Sequence, residues 1–311
     1  MAMNSPTAIP SSSAKKRPLS LYRVRTAWIF LMPALLVLLA VTGWPFVRTF
    51  YFSLTNAHLS DLSELQFDGF QNFLFLFEDP NWWEAVWNTL LFASVSVSLE
   101  TLLGLGVALV LNMHFKGRNF VRAAVLIPWA IPTVVSARMW SWMYHDIYGI
   151  LNSVGVKLGL LASPVAWAAH PDLSLWSVVL VDVWKTTPFM ALLLLAGLQT
   201  IPKDCYEAAK VDGINPLRVF YRVTLPLLMP AILVAMIFRT LDALRVFDVI
   251  YILTGTNYDT MSMSIYARQQ LFDFQNIGTG SAASVLLFIL IGGITIGYMA
   301  IGNKALGGKE R

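Results

Sequence analysis

Long apolar runs separated by short polar segments are the dominant pattern of this chain. A helix that crosses a bilayer needs about 20 predominantly apolar residues. The pattern predicts six such spans, at residues 28–46, 85–111, 121–144, 175–198, 225–253 and 281–301. Because lipid offers no hydrogen bonds to an exposed backbone, these runs must be helices. The expected fold is therefore all-α, a polytopic membrane protein, with kinks in the third span at Pro128 and Pro132.

The composition supports a membrane protein and excludes other classes. Of 311 residues, 57% are hydrophobic and 13% are charged, against roughly 45–50% and about 25% in soluble domains. A single cysteine, Cys205, cannot form an internal disulfide, and the four histidines have no metal-ligand spacing. We expect no metal site and no nucleic-acid partner.

The charges between the spans give the topology. Segments 1–26, 112–122, 199–224 and 302–311 together hold 15 Lys and Arg, whereas the opposite segments, 47–84, 145–174 and 254–280, hold three bases and ten acids. The positive-inside rule places both termini in the cytoplasm. We expect a disordered, Ser/Pro-rich and basic tail at 1–26, a membrane domain at 27–301 and a second cytoplasmic tail at 302–311.

The cytoplasmic loop between the fourth and fifth spans has its own helical pattern. Residues 202–212 have a helix-start sequence and strong helix formers, and Gly213 is a typical helix stop. Asn215-Pro216 then opens a second short helix. The loop is thus predicted to be a compact helix–turn–helix on the inner membrane surface, although its composition alone also allows a solvated connector.

The spacing in this loop favours a specific function. The loop has the pattern Glu-Ala-Ala, three residues, Gly, nine residues, an aliphatic residue, one residue and Leu-Pro. This pattern resembles the coupling signature of permease subunits of binding-protein-dependent ABC importers. Val223 stands where Ile is usual. Residues 183–189, 238–242 and 253–255 extend the resemblance to the first permease of maltose-type sugar importers, particularly trehalose importers, over about residues 27–301.

The resemblance implies a fold, partners and a coupling site. It implies six spans of the type I ABC importer kind and a coupling helix that docks on a cytoplasmic ATPase. The residues that match the coupling site are Glu207, Ala208, Ala209, Asp212, Gly213, Leu225 and Pro226. This chain would bind no cofactor, because ATP and Mg belong to two ATPase subunits.

The other implied partners lie in or outside the bacterial cytoplasmic (inner) membrane. They are a second, different permease, membrane lipid, and an extracytoplasmic sugar-binding protein or lipoprotein. The acidic outer segment 61–84 either contacts that binding protein or is merely a solvated face.

Eight charges remain inside the predicted spans. Each costs at least about 2.5–3.5 kcal/mol at mid-bilayer, so each suggests a function. Those in the fifth span recur every third residue, which predicts one charged stripe along one helix. They either form neutralised packing pairs or line a polar cavity, and the similar depth of Asp182 and Asp242 favours a cavity. The eight are Glu100, Arg138, Asp182, Lys185, Arg239, Asp242, Arg245 and Asp248.

The resemblance also implies which residues contact substrate. Aligned to the maltose-type family, the contacts are Asp182, Lys185, Thr186, Phe189, Phe238, Asp242 and Arg245. We expect a sugar, a disaccharide such as trehalose or maltose, or a related polyol. No catalytic residue is expected. The alternatives are a stand-alone secondary transporter and an intramembrane enzyme using Asp182 or Asp242.

Overall fold

The computed structural model describes residues 21–62 and 65–307, which are mainly helical and form isolated β-bridges but no sheet. The chain divides into two units, residues 1–48 and 49–311. The α-helices are α1 (Leu21–Leu38), α2 (Trp44–Ser53), α3 (Gln71–Glu78), α4 (Pro80–Asn112), α5 (Arg118–Ala130), α6 (Thr133–Met143), α7 (Ile150–Lys157), α8 (Ser174–Gln199), α9 (Lys203–Val211), α10 (Pro216–Val219), α11 (Leu225–Ala243), α12 (Asp248–Thr254), α13 (Met263–Arg268) and α14 (Ile277–Gly307). Three π-helical turns, Leu39–Gly43, Phe220–Thr224 and Gln269–Asp273, and a 3₁₀ turn, Tyr258–Thr260, complete the helical segments.

Up to six membrane spans are present in the described residues, and the predicted fold class is confirmed. Five helical stretches are long and apolar enough to cross a membrane: Val24–Ser53, Pro80–Asn112, Ser174–Gln199, Pro216–Ala243 and Ile277–Ala300. The pair α5 and α6, bent by 86°, makes the sixth if it is counted as one broken span. Pro128 lies inside α5 and Pro132 caps α6, so the bend falls where the missing proline N–H groups interrupt the helical hydrogen bonds.

The helices extend beyond the predicted apolar runs. Helix α1 begins at Leu21, so residues 21–26 are helical although disorder was predicted for 1–26; residues 1–20 lie outside the described residues. Helix α14 continues to Gly307, past the predicted boundary at residue 302, and residues 308–311 lie outside the described part. Hydropathy marks the part of a helix suited to hydrocarbon, whereas backbone hydrogen bonding continues into the polar interface.

The fifth predicted span is not one helix. Helix α11 ends at Ala243, and α12 begins only at Asp248. The predicted single stripe of charges through Arg245 and Asp248 is therefore wrong. The apolar run continues across the turn, so hydropathy could not reveal it. A distant hydroxyl stabilises the turn, since Ser262 Oγ donates a hydrogen bond of 2.8 Å to the carbonyl of Val246.

Two apolar clusters form the core of the second unit. One contains Val97 of α4, Val183 of α8 and Ala243 of α11. The other contains residues farther along the same three helices toward the predicted cytoplasmic side: Ala108, Met190 and Ala235. Between the two clusters, each of the three helices carries buried polar side chains.

Helices α4 and α8 cross closely at Gly104. A Cβ atom there would lie 2.8 Å from Met190 Cγ and 3.1 Å from the backbone nitrogen of Ala191, whereas a Cβ at Gly106 would meet nothing within 4 Å. Small residues allow such close approach of membrane helices.

Gly104→Val is expected to push α4 from α8 and to cost about 1–3 kcal/mol of folding free energy through overpacking. The thermal unfolding midpoint of the purified membrane complex measures this loss. Gly106→Val is the matched control and should leave the midpoint nearly unchanged. Equal midpoints for the two variants would contradict the assigned crossing point.

Candidate functional site

The loop between the fourth and fifth spans presents an exposed helix, α9. Ala209 is buried, whereas Glu207, Ala208 and Asp212 are exposed. Val211 at its end is 87% exposed. The helix thus offers a charged and apolar face that the described residues leave uncovered.

A tight turn ends α9. Gly213 has φ +65°, a conformation that side chains with a Cβ rarely adopt. The amide of Ile214 donates to the carbonyl of Ala209 at 3.0 Å, which closes the helix end. Asn215 Oδ1 then accepts from the amide of Leu217 at 2.9 Å and starts the next helix.

The second helix of the loop is not a separate short helix as predicted. Helix α10 continues through the π turn Phe220–Thr224 into α11, so that 216–243 form one helical stretch. Leu225 and Pro226 are the first two residues of α11. The hydroxyl of Thr224 lies 3.2 Å from that of Tyr206 on α9. The exposed helix is therefore tied directly to a membrane span.

A buried ion cluster joins three spans at the level between the two apolar clusters. The Arg239 side chain on α11 is 2% exposed and contacts both carboxylate oxygens of Glu100 on α4, with Nη2 2.9 Å from Oε1. Nη2 also contacts Asp182 on α8, and Nη1 lies 3.0 Å from Asp242 Oδ2. Thr186 Oγ1 is 2.5 Å from Glu100 Oε1. The guanidinium fork thus satisfies carboxylates from three helices.

A polar cavity of about 220 Å³ opens beside this cluster. It brings together five of the seven substrate residues predicted from the resemblance: Asp182, Lys185, Thr186, Asp242 and Arg245. The other two do not line it. Phe189 stacks on the lining residue Trp129 at 5.5 Å between ring centroids, and Phe238 is 57% exposed elsewhere.

Two groups on the cavity wall are available to a solute. Lys185 is 8% exposed, and the described residues provide it with no hydrogen bond or ion pair. The Asp242 side chain is 68% exposed, although it contacts Arg239. An unpaired buried ammonium and a largely exposed carboxylate can bind the hydroxyl groups of a solute.

Glu100 and Arg239 are not among the seven substrate contacts that the resemblance implies. Both were visible as charges inside predicted spans, and that signal was sufficient to mark them. Their pairing across 139 positions of the chain was not visible. The structure shows that they form the centre of the cluster beside which the predicted residues lie.

An exposed helix that one turn joins to a span, and a polar cavity among apolar helices long enough to cross a membrane, are the features of a membrane permease. Residues 100–306 match the family described as "Binding-protein-dependent transport system inner membrane component". The chain belongs to this family, and is a multi-pass permease subunit of an ABC importer.

Two curated relatives and one solved structure illustrate the similarity. The trehalose/maltose transport system permease protein MalF of Thermococcus litoralis is 45% identical over 90% of this chain and 94% of its own length. The trehalose transport system permease protein SugA of Mycobacterium tuberculosis is 41% identical over 92% and 91%. The fold resembles a bacterial alginate ABC transporter chain, solved with an alginate pentasaccharide-bound periplasmic protein, with a TM-score of 0.80 at 22% identity over 91% and 96%.

Glu100→Gln is expected to destabilise the protein by about 3 kcal/mol, because it removes a buried partner of Arg239. Asp242→Asn is the matched control on the same guanidinium. It should cost under about 1 kcal/mol, because its side chain is mostly exposed. Thermal unfolding of the purified complex compares the two variants. A larger loss for Asp242→Asn would contradict the structural role assigned to Glu100.

Proposed function

We propose that this permease imports a neutral sugar, a disaccharide such as trehalose or maltose, delivered by an extracytoplasmic binding protein. The observation that carries the proposal is that α9, which holds the coupling signature, is joined by one tight turn to the continuous helical stretch 216–243, which ends at the polar cavity. Both curated relatives are named for trehalose transport.

Coupling uses the exposed face of α9. A groove on a cytoplasmic ATPase subunit receives Glu207 and Ala208, whereas Ala209 of the same signature is buried against this chain. ATP-driven closure of two such subunits moves α9. Gly213 permits the sharp turn, and Leu225-Pro226 begins the span that follows the motion. ATP and Mg are bound by the ATPase subunits, and both termini of this chain are cytoplasmic, as the distribution of Lys and Arg indicates.

The charges around the cavity favour a neutral solute. Four carboxylates, those of Glu100, Asp182, Asp242 and Asp248, face three cations, those of Lys185, Arg239 and Arg245. This balance leaves no excess positive charge for a phosphate or other anion. Carboxylates and cations together match hydroxyl groups, which both donate and accept hydrogen bonds.

Aromatic side chains complete a sugar-binding wall. Trp129 and Phe247 line the same cavity and are accessible from it, so their rings offer apolar faces to the C–H groups of a sugar ring. The volume of about 220 Å³ is below the roughly 300–1,000 Å³ usual for ligand pockets. A second, different permease therefore supplies the rest of the site for a disaccharide.

Lys185→Met and Asp242→Asn are each expected to lower trehalose uptake by about tenfold or more, equivalent to about 1.4 kcal/mol of lost interaction. The amount of assembled complex in the membrane should not change. Phe238→Leu is the control, because Phe238 belongs to the predicted set but does not line the cavity, and it should retain uptake. Uptake lost in Phe238→Leu but kept in the cavity variants would refute this assignment.

Glu207→Lys is expected to abolish uptake and to uncouple ATP hydrolysis from the binding protein, since it reverses the charge on the exposed face of α9. Gly213→Pro should have the same effect, because Gly213 has a positive φ that proline cannot adopt. Glu207→Gln, which keeps the shape, should retain more activity than Glu207→Lys. Uptake and ATPase activity of reconstituted complexes measure both effects, and unchanged uptake would remove the coupling role.

A further inference from the structure

A second polar cavity, of about 500 Å³, lies at the end of the molecule predicted to be extracytoplasmic. Side chains of α3, α13, the 3₁₀ turn and the π turn Gln269–Asp273 line it, including Phe75, Glu78, Tyr258 and Gln269. None of its lining residues belongs to the intramembrane cavity. We refer to it as the outer pocket.

Of the two adjacent carboxylates in the outer pocket, one is already engaged. Asp79 Oδ1 accepts from the amide of Asn81 at 2.9 Å and caps α4, while Oδ2 accepts from the hydroxyl of Tyr266 at 2.5 Å. Burial, and then the bond to Asp79, raises the pKa of Tyr266, which keeps its hydroxyl protonated as a donor. Asp79 therefore holds the pocket together and has no oxygen left without a partner.

The neighbouring carboxylate is available. Glu78 is exposed, and no cation of the described residues lies within ion-pair distance of it. Exposed aromatic rings line the same pocket: Phe75 is 52% exposed, Tyr258 is 40% exposed and Phe274 is 51% exposed. A carboxylate beside exposed aromatic faces suits a cation, because the carboxylate forms an ion pair and the rings add cation–π attraction.

The surrounding charge favours the same kind of ligand. The three segments predicted to be extracytoplasmic hold ten acids and three bases. Such a surface attracts a basic partner and steers its approach. A neutral sugar would leave Glu78 without a counter-charge, whereas an Arg or Lys side chain neutralises it.

We propose that the outer pocket receives an arginine or lysine side chain from a basic face of the extracytoplasmic binding protein, with Glu78 as its ion-pair partner and Phe75 and Phe274 as its walls. This inference rests on the proposed function, since it requires a binding protein that docks. It adds the place of docking on this chain and the chemistry of the anchor.

The test uses the complete importer in lipid nanodiscs, titrated with its trehalose-loaded binding protein while ATP hydrolysis is measured. Glu78→Gln should raise the half-saturating concentration of binding protein about five- to tenfold and leave basal hydrolysis unchanged. Phe75→Ala should shift it in the same direction. Glu84→Gln removes an equal charge from an exposed residue outside the pocket, and should shift it less than twofold. Higher salt screens the ion pair, so it should reduce the difference in half-saturating concentration between the wild type and Glu78→Gln.

A cross-linking experiment locates the contact directly. The only native cysteine is Cys205, so Cys205→Ser provides a background for a single cysteine at position 269, which lines the outer pocket and leaves Glu78 intact, or at position 84, which does not line it. A photoreactive maleimide probe at position 269 should cross-link to the loaded binding protein much more strongly than one at position 84.

Equal shifts for Glu78→Gln and Glu84→Gln, or equal cross-linking, would overturn the inference and leave only general electrostatic attraction. Trehalose binding to the importer without binding protein, weakened by Glu78→Gln, would overturn it in favour of a sugar site. If the wild-type complex shows no stimulation by the binding protein, the proposed function fails as well. If the binding protein stimulates ATP hydrolysis by the wild-type complex, but Glu78→Gln and Glu84→Gln have the same half-saturating concentration, only the outer-pocket inference is refuted.

Discussion

The buried guanidinium of Arg239 sets the register of the membrane bundle. It contacts Glu100 on α4 and Asp182 on α8 from its place on α11, between two apolar clusters that contain no charge. A charge without a partner at this depth costs several kcal/mol. Sliding any of the three helices by one turn would separate these groups and present a carboxylate or the guanidinium to apolar side chains. The cluster therefore specifies one alignment of α4, α8 and α11, even where its net contribution to stability is small.

This alignment also decides how motion can pass through the molecule. Helix α9 is linked through α10 and the π turn to α11, and α11 carries Arg239 nearly to its end. A displacement of α9 therefore reaches the ion cluster through the turn after Val211 and the Tyr206–Thr224 contact, which join α9 to the helical stretch 216–243. The cluster connects that stretch to α4 and α8. The break after Ala243 ends this rigid path, so the outer segments that begin with α12 need not follow the same movement.

The sequence predicts the positions of most spans, the bend between α5 and α6 and the end of α9 correctly, because each depends on local chemistry: apolar length, Pro128 and Pro132, and the stop at Gly213. The prediction from sequence fails where contacts between residues far apart in the chain determine the structure. The turn after Ala243 is held by a hydroxyl from residue 262, which no local pattern reveals. The residues predicted to bind substrate come from a resemblance that fixes positions on helices, but side-chain directions depend on packing, and Phe238 consequently lies away from the cavity. Glu100 and Arg239 were recognisable as costly charges, whereas their pairing required the three-dimensional structure.

The carboxylates around Arg239 differ in burial: Glu100 and Asp182 are buried, whereas the Asp242 side chain is largely exposed. Glu100 and Asp182 share the buried side of Arg239, so its positive charge remains compensated when Asp242 releases it. Asp242 is largely exposed and can exchange that contact for a hydroxyl group at little electrostatic cost. Lys185 forms no hydrogen bond or close ion pair among the described residues that binding would have to break. In the proposed function, the sugar binds Asp242 and Lys185, and the contacts of Arg239 with Glu100 and Asp182 that join the three helices stay in place.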